Sequence, residues 1–182
     1  MHPSSRKLAI SEKKLRGIPR RLRAIRRWPE KLSNCVPADV WNSNEPYWNW
    51  KIPVLSSLVL GRYATPATRR ACAQGLIDAS AMLLACKPAG SRSARVTCAI
   101  ILPDMFASEV CVYLDEDYFR AHVDEGANIF GDKRLIRGRK LSGEWALRVP
   151  PGMSELGIAI KDIDDDGRPF VFECWYFGEV VR

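Results

Sequence analysis

Histidine is scarce in this chain of 182 residues, in which only His2 and His122 occur. The chain has six cysteines, but no two of them have the Cys-x-x-Cys spacing. Structural zinc sites combine these two residue types at short, regular spacings, so the sequence predicts no metal site and no cofactor. Most of the cysteines stand among apolar neighbours, where a free thiol behaves as a small hydrophobe. Unpaired cysteines are typical of a reducing compartment, and we expect a cytoplasmic protein.

Long apolar runs are also absent. The longest covers residues 96–102 and is broken by Thr97, which leaves it far short of the roughly 20 residues of a membrane-spanning helix. The basic N-terminus is not followed by the apolar stretch of a secretory signal. The sequence therefore predicts no membrane partner and no secretion. A transit peptide remains the alternative for the Arg-rich N-terminus.

Acidic residues are rare in the first 31 residues, which hold 11 of the 28 lysines and arginines but only Glu12 and Glu30. This segment has a net charge of +9, whereas the other 151 residues, with 17 basic and 19 acidic side chains, have a net charge of −2. The overall charge of +7 therefore belongs to a basic helical N-terminal arm, residues 1–31, on a nearly neutral body. Such asymmetry indicates an anionic partner or an interaction surface.

The apolar periodicity predicts an α+β fold in a single domain that spans residues 1–182. A long buried helix is predicted over residues 66–86, with Thr65 as its N-cap and Pro66 at its first position. We expect this helix to pack on a mostly antiparallel sheet of about five strands. The predicted strands are residues 94–102, 106–114, 144–149, 155–163 and 169–181. Further helices are predicted at residues 19–28, 54–60 and 115–122.

An acidic segment near the C-terminus, residues 162–173 (DIDDDGRPFVFE), matches the spacing of an EF-hand calcium loop. An EF-hand needs a helix on each side, but the alternating apolar residues on both sides of this segment indicate strands. Pro169 also removes an amide that pairs with a neighbouring loop in such proteins. We therefore favour a β-hairpin with an acidic Asp-Asp-Gly turn, and a calcium site is the alternative.

Two basic clusters and one aromatic cluster contain the candidate partner-binding residues. Lysine and arginine supply the phosphate contacts of nucleic-acid binding, but a solvated face of an amphipathic helix has the same composition, and no RNA-binding or helix-turn-helix signature accompanies the clusters. Tryptophan and tyrosine anchor interfaces or stack on bases, but they also cover the edges of cores. The candidates are Arg20, Arg21, Arg23, Arg26, Arg27, Lys133, Arg134, Arg137, Arg139, Lys140, Trp41, Tyr47, Trp48 and Trp50.

Catalytic candidates are few. Asp104 and Glu109 stand near a predicted turn between strands, where they are a candidate acid–base pair. His122 is the histidine that a Cys–His or Ser–His mechanism would use. Carboxylates in turns are more often solvated, and a histidine near the end of a helix suits the helix dipole. If the protein is an enzyme, we expect these side chains to converge in one pocket near Cys98.

Four stretches together resemble a bacterial protein family of unknown function. They are residues 16–22 (RGIPRRL), 47–53 (YWNWKIP), 102–111 (LPDMFASEVC) and 115–119 (DEDYF). The resemblance covers roughly residues 16–119 and leaves the last strands and the acidic turn outside it. The resemblance implies a bacterial, cytoplasmic protein. No activity, cofactor or site residue can be transferred from the family to this chain.

The sequence predicts a small α+β protein and contains no recognisable group of catalytic residues. We therefore favour the interpretation that it is a non-enzymatic protein-binding module. Its most concrete form is an immunity protein that neutralises a polymorphic bacterial toxin, with a toxin domain as the partner. One alternative is a nucleic-acid-binding accessory protein that uses the basic arm and residues 133–140. The other is an enzyme that uses Asp104, Glu109 or His122.

Overall fold

The computed structural model describes residues 18–51, 65–103, 105, 108–124 and 132–181. The helices are α1 (Ile18–Ile25), α2 (Trp28–Cys35), α3 (Pro66–Ala85), α4 (Glu116–Phe119) and α5 (Leu141–Glu144). The strands are β1 (Tyr47–Lys51), β2 (Ala94–Leu102), β3 (Glu109–Tyr113), β4 (Asp132–Leu135), β5 (Ser154–Ile163) and β6 (Pro169–Val181). A 3-10 helix (Ala38–Asn42) and a π-helical turn (Arg120–Asp124) complete the described elements. The predicted α+β class is confirmed, with one strand more than expected.

Helix α3 is fixed by local signals at its N-terminus. The Thr65 hydroxyl accepts a hydrogen bond from the Thr68 amide at 3.2 Å, and Pro66 occupies the first helical position. A cap of this kind stabilises a helix by about 1 kcal/mol. Small and apolar side chains are buried at most positions from Cys72 to Leu83, which confirms the predicted long buried helix. Among the described residues, no helix has both the length and the apolar character that a membrane span requires.

The six strands form one sheet in the order β1-β3-β2-β6-β5-β4, and every neighbouring pair is antiparallel. Its centre is the long pairing of β2 with β6, which runs from Ala94↔Val181 to Leu102↔Glu173. The β2–β3 pairing is the hairpin that the sequence predicts. The two edge strands, β1 and β4, are short, with five and four residues.

Alternating side chains divide the sheet into two faces. One face, which we call the helix face, carries Cys98 and Phe177 in register and shares its main core with buried residues of α1, α2 and α3. The opposite face, which we call the tyrosine face, carries Tyr47 and Tyr113 in register. A second buried cluster forms there, to which α4 contributes Phe119.

Helices α1 and α2 are part of the folded body, although the sequence assigns residues 18–31 to the basic arm. Ile25, Trp28 and Leu32 are buried in the main core. The two helices approach α3 closely at Gly75, where an added Cβ would lie 2.8 Å from Ile25 Cγ2. Residues 1–17 lie outside the described residues.

Several local expectations are corrected by the structure. The predicted strand over residues 144–149 is not formed, because α5 ends there in a tight turn in which the Leu147 amide donates to the Ser142 carbonyl at 2.8 Å. Strands β1 and β4 form in segments for which the sequence predicts no strand. The predicted helix over residues 115–122 begins with Asp115 as its N-cap and continues as the π-helical turn. The predicted helix over residues 54–60 lies outside the described residues.

Candidate functional site

The β5–β6 hairpin extends past both of its neighbouring strands. β4 pairs with β5 only as far as Lys161, and β2 pairs with β6 only as far as Glu173. Beyond these points, within the described part of the chain, the two strands pair only with each other, up to Ile163↔Pro169. We call residues 161–171 the hairpin tip. Every residue in this range is exposed, so the tip is an arm that projects from the sheet.

The hairpin tip carries three large apolar side chains in contact with solvent. Ile163 is 66% exposed, Val171 56% and Phe170 41%. Only two other large apolar side chains of the described residues are exposed, Leu135 at 49% and Met82 at 37%. Because side chains alternate along a strand, Ile163 and Val171 continue the helix face, whereas Phe170 continues the tyrosine face. There its ring stacks on that of Phe172, with the centroids 5.8 Å apart.

The acidic turn of the hairpin is closed by the side chain of Asp164. Its Oδ1 accepts hydrogen bonds from the Asp166 amide at 3.1 Å and from the Arg168 amide at 2.7 Å. Gly167 has a φ of +77°, which glycine adopts without steric cost. Aspartate commonly fixes turns in this way. Asp164 therefore has a structural role, whereas Asp165 and Asp166 lie exposed beside it.

The calcium-loop spacing of residues 162–173 does not produce a calcium-loop geometry. The segment joins strands β5 and β6 and not two helices. Glu173, at the twelfth position, accepts hydrogen bonds from Arg139 and from Trp175 Nε1. No three His, Cys, Asp or Glu side chains in the described ranges are grouped so that they could hold a metal ion. The β-hairpin is therefore the observed structure of this segment.

A second group of polar side chains lies on the tyrosine face. Tyr47 Oη donates a hydrogen bond to Glu109 Oε1 at 2.9 Å, and Asn49 Nδ2 donates to the other carboxyl oxygen. The Tyr47 hydroxyl also lies 3.6 Å from Cys111 Sγ. Strand β1 supplies Tyr47 and Asn49, and β3 supplies the other two residues. The antiparallel pairing of β1 with β3 therefore brings the group together.

Burial determines the chemistry of this polar group. It raises the pKa of the Tyr47 phenol and the pKa of the Cys111 thiol well above their ordinary values. Both groups are therefore protonated at neutral pH. Because the thiolate is the nucleophilic form of cysteine, Cys111 is held in an unreactive state. Tyr47 serves as a hydrogen-bond donor that fixes the carboxyl group of Glu109.

His122 is the only histidine among the described residues, and it is buried beside Tyr47. The centroids of the two rings are 5.7 Å apart, and the Tyr118 ring lies 6.0 Å from that of His122. Lys133 Nζ donates to the backbone carbonyl of His122 at 2.8 Å. Burial lowers the pKa of His122, and the Lys133 ammonium lowers it further. The imidazole is therefore neutral at pH 7.

Acidification is expected to destabilise the protein through His122. Its folded-state pKa lies below the ordinary value of 6.5, so the unfolded chain binds the proton first as the pH falls. The contribution of His122 to the free energy of unfolding is fully present above pH 6.5. As the pH falls from 6.5 to the folded-state pKa, this contribution decreases by at most about 1.4 kcal/mol per pH unit. Urea unfolding between about pH 7.5 and about pH 5.5 measures this loss. In the variant His122→Phe, the free energy of unfolding is expected to lose most of its pH dependence in this range. If the pH dependence is unchanged in the variant, His122 is not its cause.

The structure brings two of the three catalytic candidates to one side of the sheet. Glu109 and His122 both contact Tyr47. Cys98 instead lies on the helix face, within the main core, and Asp104 lies outside the described residues. The sheet therefore separates the histidine from the cysteine that a Cys–His mechanism would pair with it. Glu109 and His122 remain as the residues of the enzyme hypothesis that share a site.

The first basic cluster lies on α1 and at its junction with α2. Arg20, Arg23, Arg26 and Arg27 are exposed, and the side chain of Arg21 lies outside the described residues. None of the four exposed arginines forms an ion pair within the described part of the chain. They form the solvated basic face of an amphipathic helix whose other face is buried.

The second basic cluster is largely engaged within the protein. Lys133 and Lys140 donate hydrogen bonds to backbone carbonyls. Arg139 forms ion pairs with two carboxylates, one on α5 and one on β6. Arg134 and Arg137 are exposed and form no ion pair within the described residues. The cluster therefore links the β4 side of the sheet to its neighbours, although all of its members except Lys133 are exposed.

The aromatic candidates lie in the core. Trp41 and Trp50 belong to the main core, and Tyr47 belongs to the buried cluster of the tyrosine face. Trp48 is half-buried and packs against the main core. Trp41, Tyr47 and Trp50 therefore offer little surface to a partner, whereas Trp48 is partly exposed. These rings cover the edge of the core, which is the alternative that the sequence left open.

The exposed apolar residues of the hairpin tip are absent from the binding candidates that the sequence indicates. Their signal is a run of apolar residues directly after the acidic turn, residues 169–172 (PFVF). Consecutive apolar residues occupy both faces of a strand, which favours burial on both faces. Among the described residues no other strand pairs with this run, because β2 and β4 end before they reach it.

Comparison with known proteins gives one result. The profile of a family described as protein of unknown function (DUF3916) matches residues 26–179. The match extends beyond the resemblance at residues 16–119 and includes the last strands, so the hairpin tip belongs to the family's domain. Residues 16–25 precede the match. No curated protein and no solved structure matches the chain significantly.

Proposed function

The chain belongs to the DUF3916 family, a family of unknown function, and we propose that it acts as a protein-binding module whose contact element is the hairpin tip. The observation that carries this proposal is the exposure of Ile163, Phe170 and Val171 on an arm that projects past its neighbouring strands. A fixed turn presents these side chains, so little conformational entropy is lost when a partner covers them.

The energetic argument for a protein partner rests on apolar area. Complete burial of a Val, Ile or Phe side chain is worth about 1.5–3 kcal/mol. The three side chains of the tip are roughly half exposed, so a partner that covers them gains about 1 kcal/mol from each. Edge strands that expose apolar side chains are otherwise an aggregation hazard. The acidic turn keeps such an arm soluble until its partner binds.

The finer form of the proposal is an immunity protein of the bacterial cytoplasm that neutralises a polymorphic toxin. A cytoplasmic location is supported by five cysteines whose thiols are free, Cys72, Cys86, Cys98, Cys111 and Cys174, as is usual in a reducing compartment. An inhibitor acts by contact alone and needs no catalytic group. This role suits a chain whose buried Cys111 is held as an unreactive thiol.

Affinity capture with the full chain tests the proposal. The tagged protein is incubated with bacterial lysate, and the bound proteins are compared with those captured by the triple variant Ile163→Thr, Phe170→Thr and Val171→Thr. Threonine retains a high β-propensity, so the hairpin is expected to fold in the variant. We expect at least one defined protein to bind the wild-type chain and to be lost from the variant by more than about tenfold.

The matched control removes exposed apolar side chains elsewhere, in the double variant Met82→Gln and Leu135→Thr, and it is expected to capture the same proteins as the wild-type chain. Half of each lysate is treated with nuclease. Bound material that disappears with nuclease indicates instead that the exposed arginines of α1 bind nucleic acid. That result, or a set of captured proteins that is unchanged by the tip variant, contradicts the proposal.

A further inference from the structure

We infer that the partner of the hairpin tip is a protein with a groove whose side walls are apolar and whose inner end is basic, and that the tip inserts into this groove. The inference rests on the proposed function and adds the shape and the charge of the partner. Two properties of the tip carry it. The first is the distribution of apolar side chains over both faces, and the second is the sign of the charge on the turn.

The shape of the partner follows from the two apolar faces of the tip. Ile163 and Val171 lie on one face, and Phe170, backed by Phe172, lies on the other. A partner with a flat surface covers only one face and leaves the other in water. Burial of all the exposed apolar area therefore requires contact from both sides. A groove or cleft provides this contact, and its width must match the thickness of the two-stranded ribbon with its side chains, about 10 Å, the distance at which sheets pack face to face.

The charge of the partner follows from the turn. Residues 162–168 contain four aspartates and one arginine, a net charge of −3 on a chain whose overall charge is +7. Arg168 lies 3.9 Å from Asp166, and the remaining acids have no basic neighbour in the described part of the chain that forms an ion pair with them. The tip attracts a basic partner, whereas residues 1–31, with a net charge of +9, repel it, and the rest of the body is nearly neutral. This difference fixes the orientation of the complex and excludes nucleic acid from the tip.

A second copy of this chain is a poorer occupant. Its exposed basic residues include Arg20 and Arg23 on α1 and Arg26 directly after this helix. The apolar side chains on the other face of that helix, however, are packed on α3, and Ile25 is buried. A second copy therefore offers basic side chains without apolar walls beside them. The tip needs both properties in one surface.

Site-specific photo-crosslinking tests the inference. The photoreactive residue p-benzoylphenylalanine replaces Phe170 or Val171 in the full chain, one position for each face of the tip, and Met82 serves as the control position. The proteins are irradiated in bacterial lysate and the crosslinked peptides are sequenced. We expect the same protein to be crosslinked from both tip positions and not from Met82, and the crosslinked segments to combine apolar residues with lysine or arginine.

The charge is tested in the same assay with the triple variant Asp164→Asn, Asp165→Asn and Asp166→Asn. Asparagine can accept the backbone hydrogen bonds of the turn as aspartate does, so the hairpin is expected to keep its shape. The crosslinking yield is expected to fall by at least about tenfold at low salt. The difference is expected to shrink in about 1 M salt, where the Debye length is about 3 Å.

The control for charge is the triple variant Asp39→Asn, Glu45→Gln and Asp117→Asn, which removes three exposed acids outside the tip and is expected to keep the full yield. If the tip crosslinks a protein but the Asp→Asn variant keeps its yield, or if only one face reacts, protein binding stands and the inference is overturned. Crosslinking of the tip to its own chain also overturns it. If neither tip position reacts with any protein, the proposed function fails as well.

Discussion

Replacing Trp50 with alanine is expected to lower the free energy of unfolding by about 3–5 kcal/mol, the usual cost of truncating a buried aromatic side chain. Trp50 lies on β1, opposite Val110 of β3, and is 1% exposed in the main core. A loss of this size is a large part of the about 5–15 kcal/mol that stabilises a typical domain. Urea unfolding followed by tryptophan fluorescence and by circular dichroism measures it.

The matched control for this prediction is Phe170→Ala, which truncates an aromatic side chain at the exposed hairpin tip. Its effect on the free energy of unfolding is expected to stay within about 0.5 kcal/mol, although it removes a proposed partner contact. The two variants therefore separate stability from binding. If Trp50→Ala is as stable as the wild-type chain, Trp50 does not stabilise the core, and its role as a partner-binding residue is favoured again.

The substitution Gly178→Ala is expected to destabilise the protein by about 1–3 kcal/mol or more, as overpacking in a core does. Gly178 pairs with Thr97 at the centre of the sheet. An added Cβ would lie 2.8 Å from Thr97 Cα and would also meet the carbonyl oxygen of Val96. These atoms belong to the backbone of β2, so they move only if the β2–β6 pairing opens. Thermal and urea unfolding measure the effect.

The control for Gly178 is Gly143→Ala in α5. An added Cβ at Gly143 meets nothing within 4 Å, and alanine has a higher helix propensity than glycine by about 1 kcal/mol. We expect this variant to be as stable as the wild-type chain or slightly more stable. Equal effects of the two substitutions contradict the view that the close approach of β6 to β2 requires a glycine.

The elements that the sequence predicts best are those with signals inside the element itself. Thr65 and Pro66 mark the start of α3, and the apolar repeat that follows fixes its type. Strands β2 and β6 have the predicted bounds, residues 94–102 and 169–181. Each of these strands is long and apolar, and it occupies the middle of the sheet. The preference for strand is therefore strong before any partner strand is considered.

The elements that the sequence does not reveal depend on contacts with distant residues. Strand β1 forms because Tyr47 and Trp50 pair with a strand about 60 residues later in the chain. Strand β4 is a polar segment, and it becomes a strand by pairing with β5. In the reverse case, Leu147 belongs to a segment with the alternation of a strand, but the hydrogen bonds of the turn after α5 prevent an extended backbone.

By itself the sequence determined the α+β class, the long capped helix, the central strands and the acidic hairpin turn, because propensity, capping and apolar period act between residues that are close in the chain. Only the tertiary structure decided which apolar side chains face solvent. Trp50 is buried because helices and a neighbouring strand cover it, whereas Phe170 is exposed because β2 and β4 end before they reach it. The burial of a side chain depends on which elements lie beside it, and the whole fold determines where the neighbouring strands end.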